Sequence, residues 1–199
     1  MRYLFAVELF FLSFIISLSS CAFLQKEPGR PPKIENRAIA DEMRTLYVQN
    51  IRNNSYAGAV HVMLGRYLKE EVDRRGRFIQ TRSKERARFR LYGEVVHYQE
   101  IGNLMDSANR NISAELTVIV KVELQEAGGE KIILPRNEIP ARAYYSNQIG
   151  YKESEEQAQS RMLKNLAIRI ISEVEEGWYN EMLRKHEQEK KINMPPSKE

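Results

Sequence analysis

Two runs of strict alternation limit the fold of this chain more than any other feature. Ala114, Leu116, Val118, Val120, Val122 and Leu124 alternate with Glu115, Thr117, Lys121 and Glu123. Upstream, Ala87, Phe89, Leu91, Gly93 and Val95 alternate with Arg86, Arg88, Arg90, Tyr92 and Glu94. Side chains on a strand point to opposite faces at every second residue, so each run is a half-buried strand with one wet face. An all-helical fold is excluded. Helical spacing appears on either side of them. Val60, Met63, Leu64, Tyr67, Leu68 and Val72 share one face before Gly76, and Ala158, Leu163, Leu166, Ala167, Ile170, Ile171, Val174 and Trp178 trace a longer helix. Each helix has a single apolar stripe and must lie flat on a sheet or a partner.

The remaining elements are shorter. Thr45 to Gln49 reads as a strand, followed by a polar turn from Asn50, with Ser55 as N-cap and Gly76 as C-cap of the first helix. A short strand is expected from Arg77 to Thr81 and a loop from Gly102 to Arg110. Gly128-Gly129 turns the chain into a third strand from Lys131, and Pro135 and Pro140 mark that strand as an edge or as broken. This order predicts an α+β, two-layer domain: a mostly antiparallel sheet of about four strands with two helices packed on one face.

The N-terminus carries an address. Leu9 to Leu18 is apolar apart from Ser13 and Ser17, and its ten residues fall short of the roughly 20 that a membrane-spanning helix needs. Residues 1–20 read as a lipoprotein-type signal peptide, with Arg2 in the n-region. Leu18-Ser19-Ser20-Cys21 is similar to the bacterial lipobox and places the one cysteine of the 199 residues where lipid is attached. Cys21 is the candidate lipidation site, and Ala22 in place of an aspartate favours the periplasmic face of the outer membrane. Residues 21–37 form a lipidated tether rich in proline between Lys26 and Lys33, residues 38–180 the folded domain, and residues 181–199 a frayed helix end and a charged, disordered tail.

Little else carries chemistry. A lone cysteine excludes an internal disulfide and any Cys-rich metal site. His61, His97 and His186 stand apart without ligand spacing, and no nucleophile elbow or phosphate-binding glycine loop is present. Neither a catalytic residue, a metal nor a cofactor is expected. A net charge of +4, from 31 basic and 27 acidic residues, is too thin for a nucleic-acid binder. Arg86, Arg88 and Arg90 would project from one strand face at intervals of about 7 Å. Guanidinium groups in such a row suit phosphates or carboxylates. The plainer alternatives are a solvated face or cross-strand matches to Glu115 and Glu123. Tyr144, Tyr145 and Tyr151 are candidate interface aromatics, and Trp178 reads as the closing member of the core.

Taken in order, these segments resemble the LptE family of lipopolysaccharide-assembly lipoproteins. The resemblance rests on Cys21, on Tyr47-Val48 running to Asn53, and on Ala87, Leu91, Gly93 and Val95 in an Ala-x-x-x-Leu-x-Gly-x-Val segment. A hairpin from Ala114 to Tyr145 and Glu155-Glu156-Gln157-Ala158 complete it. Arg88 stands where the family often has an acid, and Ile133-Leu134-Pro135 where it often has a bulky aromatic. The resemblance implies a non-enzymatic plug inside the LptD β-barrel that assists barrel assembly and delivery of lipopolysaccharide to the outer leaflet. An alternative is a periplasmic adaptor lipoprotein of the LpoB or CsgG type, since those also begin with a strand running into an Asn-rich turn, as Tyr47 to Asn54 does.

Overall fold

A computed structural model describes residues 32–105, 107–108, 111–146 and 153–192. Cys21, the expected signal peptide and Tyr151 lie outside them. The elements run β1 (Lys33–Ile34), β2 (Arg37–Ala38), a 3-10 turn (Asp41–Arg44), β3 (Thr45–Val48), β4 (Arg52–Asn53), α1 (Val60–Arg75), β5 (Ile79–Gln80), β6 (Phe89–Met105), β7 (Asn111–Glu126), β8 (Lys131–Ile132), β9 (Glu138–Ser146) and α2 (Glu155–Ile192).

The α+β class holds, and both helices cover one face of the sheet. The sheet itself corrects the sequence reading: it has seven strands, not about four, and is mixed, not mostly antiparallel. Strand β6 pairs antiparallel with β7, and β7 with β8 and β9. Strands β3 and β4 both run parallel to β6, and β3 parallel to β5. The parallel pairs follow from α1, which lies in the chain between β3 and β6. Adjacent strands joined through a crossover helix run the same way, whereas a tight hairpin would reverse them. The count rises because both flanking ribbons are interrupted. Strands β3 and β4 share one side of β6, and β8 and β9 share one side of β7. Pro135 lies in the break between β8 and β9, and Pro140 sits on edge strand β9, as proline requires.

Three other boundaries move. Residues 102–105 continue β6 beyond the expected loop start. Helix α1 begins at Val60 with Ala59 at its N-cap, so Ser55 is not the cap. Instead the Ser55 N–H and hydroxyl donate to Asn53 Oδ1 (3.0 and 2.7 Å), while Asn53 Nδ2 donates to the Ala57 carbonyl (2.8 Å). Gly76 ends α1 as expected, in the left-handed region at φ 62°, its N–H on the Val72 carbonyl. Helix α2 starts with a reciprocal cap: Ser154 Oγ accepts from the Gln157 N–H, and Gln157 Oε1 accepts from the Ser154 N–H. It continues to Ile192, so the tail expected from residue 181 is helical that far.

The tether expected to reach residue 37 ends earlier as well. The β1–β2 hairpin, whose turn residues Glu35 and Asn36 have positive φ, lies on the far half of α2. Tyr179 donates to the Lys33 carbonyl at 2.9 Å, and His186 and Lys190 both meet the Glu35 carboxylate.

The core lies between sheet and helices. Leu91, Val95, Leu116, Val118, Val120 and Leu124 face Leu64, Leu68, Leu163, Leu166, Ile170 and Val174. Trp178 closes it, fully buried, with its ring centroid 4.7 Å from that of Phe78 and 6.4 Å from that of Phe89. A buried ion cluster joins the helices. Glu71 accepts from Arg74 and Arg75 at 2.6 Å, and Arg75 reaches Glu175 at 2.8 Å. These hydrogen bonds, the one from Arg74 foremost, hold the Glu71 carboxyl below the usual carboxylate range.

Candidate functional site: the open face and the edges of the sheet

With both helices on one side, the other face of the sheet is left open. Its β3 end is polar. Arg90, Tyr92 and Glu94 stand opposite Gln125, Glu123 and Lys121 across the β6–β7 ladder. The groups are largely matched to one another: Lys131 pairs with Glu123 at 2.6 Å, Asn54 donates to Glu94, and Lys84 sits 6.0 Å over the Tyr92 ring. A shallow groove among Gln49, Arg52, Tyr92, Glu94, Lys121 and Gln125 lies here. A bulge between Val95 and His97 shifts the alternation, so that His97, Gln99 and Ile101 take over the open face. From there the lining is mixed, with Ile119 and Pro140 beside His97, Thr117 and Arg142 beside Gln99, and Tyr144 on the row of Ile101 and Glu115.

The three arginines do not form one row. Only Arg90 lies within β6, and its Nε donates to the Lys84 carbonyl at 3.3 Å. Arg88 turns onto the buried Glu126 at 2.5 Å, which Lys185 of α2 also holds at 2.7 Å. Arg86 is exposed on the turn before the strand. Their alternation was legible, but the partner of Arg88 lies at the far end of β7 and left no local signal. The expected cross-strand matches fall elsewhere, with Glu123 on Lys131 and Glu115 beside Arg142 at 3.6 Å. Of the tyrosines, Tyr144 is exposed on the open face, whereas Tyr145 is buried and donates to Glu100 at 2.6 Å.

The outer edge of β9 is guarded, a feature that sequence reasoning missed. Pro140 offers no N–H, and Arg169 of α2 donates to its carbonyl at 2.6 Å. Arg161 donates to the Tyr144 carbonyl at 3.3 Å, and the Glu153 N–H to the Ser146 carbonyl at 3.1 Å. Arg161 and Arg169 are eight residues apart, about 12 Å along a helix. Pro140 and Tyr144 are four apart, about 13 Å along a strand, so helix and edge are in register.

Among the described residues no group of three or more His, Cys, Asp or Glu side chains could hold a metal ion, and no helix is long and apolar enough to cross a membrane. What the fold presents is a layered α+β body with an open sheet face and two unlike edges. The family model for LptE, described as lipopolysaccharide-assembly, matches residues 43–174. The chain belongs to the LptE family, and with it to the proteins of lipopolysaccharide assembly. Among solved structures it is similar to the hypothetical protein CT253 from Chlamydia trachomatis, at 9% identity and TM-score 0.47 over 67% of this chain and 96% of that one. A minor lipoprotein from Acinetobacter baumannii shows 16% identity and TM-score 0.43 over 66% and 92%. Lipoprotein GNA1162 from Neisseria meningitidis shows 10% and 0.41 over 64% and 98%. No curated protein sequence matches the chain.

Proposed function

We propose that this protein is a lipid-anchored component of the outer membrane that supports a large β-barrel of the LptD kind and delivery of lipopolysaccharide to the outer leaflet. The observation that carries the reading is the family match over residues 43–174. The lipobox ending at Cys21 supports the anchor. Each buried acyl methylene contributes roughly 0.8 kcal/mol, so a cysteine bearing several chains stays on its membrane. The protein works by contact. Its open face offers Arg90, and the turn before β6 the exposed Arg86, to anionic groups of lipopolysaccharide or of the barrel lumen, while Arg88 is held by Glu126.

Depletion in the native host tests the role. Loss of lipopolysaccharide from the cell surface is the expected result, and surface lipopolysaccharide at its normal level contradicts it. Intact mass of the purified protein tests the anchor: the first 20 residues removed and acyl chains on Cys21 are expected, and a free thiol or an uncut leader rules the anchor out.

A further inference from the structure

The two edges of the sheet are treated oppositely. Each described feature of the β9 edge discourages a further strand: a proline, two arginines on the carbonyls and a bridge at Ser146. On the other side β3 and β4 accompany β6 only as far as Val95. From Val96 to Met105 no strand among the described residues pairs the outer edge of β6.

The ladder itself tells which backbone groups face outward. The Leu91 and Val95 carbonyls accept from Gln49 and Asn54, so they point away from β7. Leu91 and Val95 stand opposite Leu124 and Val120, and Tyr98 and Gly102 opposite Val118 and Ala114, at the same parity of β7. The N–H and C=O of Tyr98 and Gly102 therefore also point outward.

Natural sheets blunt such an edge with proline or inward charge. Here the segment from Val96 to Met105 contains no Pro, Lys or Arg; its one acid, Glu100, lies on the core side and accepts from Tyr145, and the register shifts fall at its two ends, leaving His97 to Gly102 as a regular run. Its side chains invite apolar contact: Val96, Ile101, Leu104 and Met105 are 38%, 47%, 43% and 55% exposed. Tyr56, 75% exposed, stands beside the edge with its ring 5.9 Å from that of Tyr98.

We propose that the outer edge of β6 between Val96 and Met105 accepts an extended segment of a partner protein as an added strand, bonded to the main chain at Tyr98 and Gly102 and packed on Ile101 and Leu104. Main-chain bonds supply the affinity in such augmentation, and alternate side chains the specificity. The regular run from His97 to Gly102 is about 20 Å long, enough for a strand of ordinary length. A second copy fits less well. Antiparallel self-pairing about the centre of the segment sets two Glu100 carboxylates side by side, and like charges placed so are destabilising. The proposal rests on the proposed function only for the identity of the partner, a strand-rich outer-membrane barrel.

The test uses full-length protein purified from native membranes, alone and with its partner. Hydrogen exchange at Tyr98 and Gly102 is expected to slow by about tenfold or more in the complex, because an added strand occupies those amides. Two variants, Gly102→Pro and Leu104→Lys, are expected to cut barrel recovery roughly tenfold with the thermal midpoint unchanged, whereas Val62→Lys, on the exposed side of α1, leaves recovery intact. Full recovery with both variants and unaltered exchange overturns strand addition while the barrel partnership stands. A dimer of this chain that both variants dissolve overturns it in favour of a second copy. If wild-type protein recovers no barrel, the proposed function falls. Exchange in intact membranes then decides: protection of Tyr98 and Gly102 relative to purified protein retains strand addition, and equal exchange overturns it.

Discussion

Ile51 Cδ1 lies 2.6 Å from where a β-carbon on Gly93 would stand, so the loop after β3 is wedged against a position of β6 that has no side chain. The same isoleucine is 3.7 Å from the corresponding point on Gly65 of α1, which is ordinary contact. Ile51 is thus a buried key between helix and sheet, and the glycine of the family segment is there to admit it.

Two alanine substitutions should therefore behave differently. Gly93→Ala overpacks the site and is expected to cost about 1–3 kcal/mol. Gly65→Ala is expected to be neutral or stabilising by up to about 1 kcal/mol, since alanine is the better helix former. Denaturant unfolding followed by Trp178 fluorescence measures both. Ile51→Val, which removes Cδ1, should relieve most of the Gly93→Ala penalty. Equal effects of the two alanines would refute the wedge.

The Glu71 cluster makes stability depend on acid. Its carboxyl titrates lower in the folded chain than in the unfolded one, chiefly through the Arg74 hydrogen bond. Its contribution is therefore complete above the ordinary carboxylate range and is lost as pH falls through the folded value. Glu71→Gln is expected to cost roughly 1–3 kcal/mol at neutral pH. The gap from wild type should narrow steadily on acidification. A difference that does not change with pH would show that the pair contributes no charge-dependent stability.

The Ser154–Gln157 cap holds the start of α2. Ser154→Ala is expected to cost about 0.5–2 kcal/mol. Hydrogen exchange should show faster exchange confined to the first turn, residues 155–158. Loss spread evenly along the helix would argue against a local cap.

The arginine guard on β9 predicts a change in association and not in folding. Arg161→Gln with Arg169→Gln frees the Tyr144 and Pro140 carbonyls and exposes a strand edge. Analytical ultracentrifugation is expected to show concentration-dependent self-association of the double variant and none of the wild type. A double variant that stays monomeric contradicts the guarding role.

The apolar periods made α1, α2, β6 and β7 legible, because each buries one face of a regular element. Strand direction was not, since it depends on where α1 crosses. The end of β6, residues 102–105, reads as loop in the sequence because Gly102, Asn103 and the exposed Leu104 and Met105 carry no alternation. The last turns of α2, from residue 181, read as a frayed end and tail because their contacts are mostly polar: Lys185 meets Glu126, and His186 and Lys190 meet Glu35, which lies more than 150 residues earlier in the chain. Of the candidate site, Arg90 could be placed by counting, whereas the commitment of Arg88 to Glu126 and the contrast between the two edges exist only in three dimensions.

Affinity purification of the full-length protein from native membranes, with each co-purifying chain identified by mass spectrometry, puts the central claim at risk most directly. A large outer-membrane β-barrel in near-stoichiometric amount, together with lipopolysaccharide, is the predicted result. Recovery of a peptidoglycan synthase or a secretion complex in place of the barrel would contradict it.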